Sequence, residues 1–167
     1  ANVSTPNSMM PLAYYSTLNT ASTSFMDDLH ALVNPHQVQY YSYYSNTMIY
    51  LFEARDTTED RRVVTCVYSG ENKIYTEPFD WSSTGYSREH TYCHSWMPTN
   101  PATDLPEYSD YHHLFPTNLN SVNIVRSNNP LGEVITPSYS YLECQLGANA
   151  NGQTVFEPRD EHKGDAA

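Results

Sequence analysis

Tyrosine dominates the large apolar side chains of this protein: fifteen of 167 residues are Tyr, against five Phe and two Trp. Each ring brings apolar surface with a polar handle attached, so a fold that buries many of them must also find acceptors for their hydroxyls. Charged residues are only 16% of the chain and hydrophobic residues 39%. This Tyr-, Ser-, Thr- and Asn-rich balance suits an exported protein. The length allows one domain with a real core and leaves no room for a second full one.

Composition also narrows the partners. No run approaches the roughly 18 apolar residues of a membrane span, so no membrane partner is expected. The chain begins ANVSTPNSMMP, without an initiator Met or a signal h-region, and reads as a mature or trimmed protein with a polar leader over residues 1–13. Cys66, Cys93 and Cys144 permit at most one intramolecular disulfide and imply no disulfide framework. Cys66 paired with Cys144 or with Cys93, and three buried thiols, are all consistent with the spacing. A net charge of −11 with eight Lys+Arg argues on its face against a polyanionic partner, because phosphate binding normally draws on a basic footprint.

The expected elements follow from local signals. Phe25, Leu29, Leu32 and Val33 share one helical face, with Ser24 positioned to cap it and Asn34-Pro35 to end it. The Tyr-rich run QVQYYSYYSNTMIYLF, residues 37–52, fits strand and helix equally. RRVVTCVYSG, residues 61–70, is the clearest strand, ended by a Ser-Gly turn, and TYCHSW is expected on or just after another. Residues 98–106 read as a loop, and Asp110 to Pro116 as a short segment ended by its proline. SVNIVRSN, residues 121–128, reads as a short helix capped by Ser121 or Asn120, and one more extended piece is expected near VFEP. No internal repeats occur, and one domain over residues 14–167 is expected.

Two clusters carry chemistry. SREHTYCHSW, residues 87–96, crowds Arg88, Glu89, His90, Cys93 and His94 together. Glu89 and His90 would point to opposite faces of a regular strand, but at a strand end both can reach one site. A carboxylate there can hold a hard cation while the imidazole takes a proton from water. The second cluster, from Asp110 to Asn128, gathers Asp110, His112, His113, Asn123, Arg126 and Asn128. Its amides suit Mg²⁺, which prefers oxygen ligands and keeps several waters.

EHTYCHSW followed by SDYHHLFPTNLNSVNIVRSNNPLGEV resembles the bacterial endonuclease I family of His-Me finger (ββα-metal) nucleases. The YSG at residues 68–70 and the FEPRDEHKGD at residues 156–165 fit the same pattern, so the likeness runs from about Tyr68 to Asp165. It implies an α+β fold around a ββα-metal core with flanking helices and irregular loops. It also implies Mg²⁺-dependent hydrolysis of DNA, with RNA as a further substrate, little sequence preference, 5′-phosphate products and no obligate protein partner. The resemblance assigns His90 as general base and Glu89 and Asn123 as metal ligands, with Ca²⁺ or Mn²⁺ able to substitute for Mg²⁺. Arg126 is expected on the scissile or a neighbouring phosphate through its planar fork of donors. His112, His113, Asn128 and Arg88 are supporting or substrate-side candidates, and an extracellular or periplasmic setting is implied.

The pattern departs in places. Cys93 replaces the usual proline three residues after the histidine, and Tyr111 stands where Leu or Met is common. Family members continue past KGD with a further helix, whereas this sequence ends Asp165-Ala166-Ala167. Two other readings compete. A zinc module would use Cys93, His94, His112 and His113, although adjacent ligands lack the usual C-x₂₋₄-C gap. A catalytically inactive binding or adhesion module would keep the fold and lose turnover.

Overall fold

In a computed structural model of the protein, residues 14–34, 38–56, 61–98, 103 and 105–160 are described. The expected polar leader, Pro35, part of the 98–106 loop and the KGD tail lie outside them. The chain forms two compact units, Ala1–Gln37 and Val38–Ala167.

In the first unit, helix α1 spans Phe25–Val33, as the apolar spacing predicts, and none of its residues is buried. Asp27 and Asp28 sit in its first turn and His30 in its last, where each charge opposes the end of the helix dipole it faces. Ser24 is the N-cap residue but caps no backbone N–H. Its hydroxyl donates instead to the Asp28 carboxylate at 2.8 Å.

The second unit is α+β, built from three small antiparallel sheets and a few short helices. The ambiguous Tyr-rich run resolves into a 3₁₀ turn, Tyr41–Tyr43, and a π-helical segment, Ser45–Glu53. Strands β1 (Arg55–Asp56), β2 (Arg61–Thr65) and β3 (Asn72–Thr76) form the first sheet in that order. The expected strand over residues 61–70 therefore stops at Thr65. Cys66 to Gly70 closes a turn in which the Gly70 N–H donates to the Cys66 carbonyl at 3.0 Å, and Gly70 takes φ +71°, a region glycine enters without steric cost.

A short helix α2, Trp81–Thr84, precedes the second sheet. Asp80 caps it by accepting from the Ser83 N–H at 2.7 Å, and Gly85 at φ 69° ends it. That stop starts strand β4, Tyr86–His90, which pairs with β5, Leu114–Asn118, from Tyr86↔Asn118 to His90↔Leu114. Pro116 lies inside β5, opposite Arg88, rather than ending a segment. A two-stranded sheet has only edge strands, so the missing N–H is tolerated there. The Pro116 carbonyl meanwhile accepts from the Val67 N–H at 3.0 Å.

From β5 the chain passes directly into a π-turn, Leu119–Asn123, and an α-helical turn α3, Ile124–Arg126. The cap of this helical segment is Asn118, not Ser121 or Asn120: its Oδ1 accepts from the N–H groups of Asn120 and Ser121 at 3.1 and 2.9 Å. Its Nδ2 donates to Glu71 at 2.7 Å, so one side chain starts the helix and ties it to the turn before β3. A third sheet, β6 (Thr136–Tyr141), β7 (Cys144–Ala148) and β8 (Thr154–Glu157), completes the unit.

The core gathers Tyr44, Ile49, Val64, Tyr68, Leu114, Val122 and Phe156, each at most 1% exposed. Burying each aliphatic member contributes about 1.5–3 kcal/mol. Two core tyrosine hydroxyls find carbonyls, Tyr44 donating to Leu114 and Tyr86 to Glu71, both at 2.8 Å, whereas those of Tyr68 and Tyr75 are buried without a hydrogen-bond partner among the described residues. All three cysteines are buried free thiols. Among the described residues no helix is long and apolar enough to cross a membrane.

Gly147 faces Pro137 across β6 and β7, and a Cβ there would press into the Thr136 carbonyl and stand 2.7 Å from the Pro137 Cα. Backbone cannot swing aside as a side-chain tip can. Gly147→Ala is expected to lower stability by about 1–3 kcal/mol, read from the urea midpoint; an unchanged midpoint would mean the hairpin is looser than drawn.

Candidate functional site

Along β4, Tyr86 is buried, Ser87 and Arg88 are half-buried, and the last two residues, Glu89 and His90, are both buried, at 5% and 7% exposure. The strand ends there: the next N–H, of Thr91, donates to the His113 carbonyl at 2.9 Å as the chain turns away. A strand end thus brings two sequence neighbours to one site, as required if both are to act together. Glu89, His90 and Asn123 all line one cavity of about 520 Å³, together with Tyr41, Arg88, His94, Tyr108 and Asn128.

The carboxylate of Glu89 is paired with the Arg126 guanidinium, which is completely buried. Arg126 also donates to the carbonyls of His90 and Thr91, at 2.8 Å each. Three acceptors at the end of β4 therefore hang on one side chain from α3. Arg126 is not among the residues that line the cavity; both of its Nη nitrogens donate to protein acceptors. Burial pushes the Glu89 carboxyl up to about 7, with Arg126 pulling the other way.

The imidazole of His90 is fixed by a hydrogen bond of 2.7 Å to the Tyr108 carbonyl. A carbonyl only accepts, so Nε2 carries the proton and Nδ1 the lone pair. Burial lowers the pKa of this ring to about 4. His90 is thus a neutral imidazole with a defined tautomer throughout the physiological range. Tyr41 and His94 lie parallel to it, at ring-centre distances of 5.7 and 5.6 Å.

The supporting candidates separate. Arg88 lines the cavity, stacked 4.1 Å from the Tyr41 ring centre and donating to the Tyr41 carbonyl. Asn128 lines it too, with Nδ2 3.5 Å from Ser95 Oγ. His113 donates through Nε2 to the Glu107 carbonyl at 2.7 Å, and its ring lies 5.6 Å from that of His90. His112 does not join them: its side chain is 95% exposed and bonds Asp110 at 2.7 Å. Tyr41 and Tyr108, which hold and flank His90, carry no motif and lie 49 residues before it and 18 after; only packing identifies them. His94 stood in the motif as a zinc candidate.

Residues present fit a hard divalent cation. Glu89 uses Oε1 on Arg126, leaving Oε2, and Asn123 uses Nδ2 on Thr117 Oγ1 at 3.5 Å, leaving Oδ1. These are oxygen donors on one cavity wall, the set Mg²⁺ takes with water. Among the described residues no three or more His, Cys, Asp or Glu side chains gather as for a metal, so a zinc cluster of Cys93, His94, His112 and His113 does not form; Cys93 bonds the Ser127 carbonyl instead.

The family model described as Endonuclease I matches residues 20–167. No curated protein and no solved structure matches the chain.

Proposed function

The chain belongs to the endonuclease I family, a family of nucleases acting on nucleic acid, and from that premise we propose a secreted or periplasmic, Mg²⁺-dependent endonuclease that hydrolyses DNA phosphodiester bonds, and RNA as well, with little sequence preference. In this reading β4, β5 and the helical segment 119–126 form the ββα unit. The observation that carries it is the shared cavity of Glu89, His90 and Asn123, with His90 locked as a neutral imidazole. His90 Nδ1 accepts the proton of the attacking water, and its Nε2–H stays on the Tyr108 carbonyl, which steadies the imidazolium that results. Glu89 and Asn123 would hold the cation, and Arg126 favours the ionised form of Glu89 against the effect of burial and keeps the end of β4 in place. When bound, the cation supplies positive charge for the developing phosphate and the leaving oxygen. Asn128 and Arg88 line the walls on the substrate side.

Plasmid nicking at low salt tests the reading. Cleavage with Mg²⁺ and none with EDTA supports it. Folded protein that binds DNA without cutting it under both conditions would replace it with the inactive binding module.

The acid limb of activity is expected to belong to Glu89, not His90. The base stays unprotonated down to about 4, whereas Glu89 takes up a proton below about 7 and then loses its hold on a cation. Activity should fall as pH drops through the Glu89 range, and raising Mg²⁺ should move the limb to lower pH, because cation and proton compete for one carboxylate. A limb indifferent to Mg²⁺ would hand it to another group.

A further inference from the structure

A second cavity, of about 510 Å³, adjoins the first and shares two of its walls, Tyr41 and Tyr108. Its remaining lining includes Val38, Tyr40, Leu105 and Pro106, with no Lys, Arg, Asp or Glu among the described residues. Tyr40 is 72% exposed and Tyr43, edge-on to it with ring centres 5.4 Å apart, is 51% exposed. Tyr41 is a firm platform: Arg88 stacks on its ring and bonds its carbonyl, and Tyr108 leans against it with ring centres 4.8 Å apart.

We propose that this tyrosine-lined cavity is a base-stacking subsite for an unpaired stretch of the nucleic acid strand whose phosphate lies at His90. The inference rests on the nuclease reading and adds a substrate class to it. Continuity supplies the first argument, since the packed Tyr41–Tyr108 pair is a wall common to both cavities, and a strand that crosses over this pair leaves the catalytic cavity for the second. Charge supplies the other. With a net charge of −11 and eight Lys+Arg in the whole chain, phosphate neutralisation contributes little, and a cavity whose described lining is aromatic and carries no Lys, Arg, Asp or Glu favours the one part of a nucleotide with an apolar face. Paired bases hide those faces within the duplex, so the occupant is single-stranded or locally opened.

Binding in EDTA, where no metal-dependent cleavage proceeds, separates base from phosphate. The wild-type protein is expected to bind a single-stranded oligothymidine roughly tenfold more tightly than an abasic strand of equal length and charge, and more tightly than duplex. Tyr40→Ala should remove most of that difference and Tyr40→Phe should keep it. Because the Tyr40 ring is exposed, neither change threatens the core, and the abasic comparison needs no variant at all. Equal affinity for abasic and normal strands, or preference for duplex, would overturn the subsite. Mg²⁺-dependent nicking by the same preparation judges the nuclease reading separately, so nicking together with base-independent binding would sink the subsite alone.

Discussion

Arg126→Leu is expected to destabilise the protein by about 3–5 kcal/mol, the range for removing one partner of a buried ion pair. Arg126 is fully buried, and its guanidinium serves the Glu89 carboxylate and the carbonyls of His90 and Thr91. Leucine matches some of the volume and none of the five donors. The change would leave a carboxylate at 5% exposure without its counter-charge and two carbonyls without a donor. Arg126→Lys should recover only part of the loss, because one ammonium cannot reach three acceptors with the geometry of a planar fork.

Urea denaturation of single and double variants checks this. With Glu89→Gln added to Arg126→Leu, the unpaired charge disappears, and the double variant should be more stable than the two losses added together predict. A loss below about 1 kcal/mol for Arg126→Leu would show that water reaches Glu89 and the pair is not buried as drawn.

The second large effect is on activity. His90→Ala is expected to lower the Mg²⁺-dependent nicking rate by about 10²–10⁴-fold, the usual contribution of a positioned general base. Circular dichroism should match the wild type, since β4 is held through Glu89 and backbone bonds rather than through the imidazole ring. Glutamine at the same position keeps bulk and an N–H but has no lone pair of comparable basicity, and should be equally slow. Activity within about threefold of wild type would move the base to another group, and the parallel ring of His94, 5.6 Å away, would be the first to substitute next.

The local chemistry of the site was readable in the chain. Glu89 and His90 are adjacent, Asn123 sits at the start of the predicted helix, and the resemblance to endonuclease I picks out all three. Helix α1 and the turn at Gly70 are equally legible, because spacing and glycine act within a few residues, and the α+β class follows from the family resemblance. The cap of the helical segment falls at Asn118, not at the expected Ser121 or Asn120, since the residue that caps it belongs to the preceding strand. Pro116 reads as a stop in sequence and lies inside β5 instead, because a two-stranded sheet leaves it on an edge. Residues 37–52 stayed undecided, as a Tyr-rich run with no polar alternation has no period to read.

What packing alone decided is the surroundings of those groups. Arg126 has the look of a phosphate fork in sequence and is a buried brace in the structure, because its acceptors lie 35 to 37 residues away. Tyr108 sets the tautomer of His90 from across a turn, Tyr41 stacks on it from a segment 49 residues upstream, and neither bears a signal. His112 and His113, neighbours of the same type, part company, one into solvent and one against the His90 ring. Residue identity and short spacing determine which chemistry a chain can perform and where its turns and caps fall. Burial, tautomer and pKa depend on which distant segments close around a group, and that is a property of the folded whole.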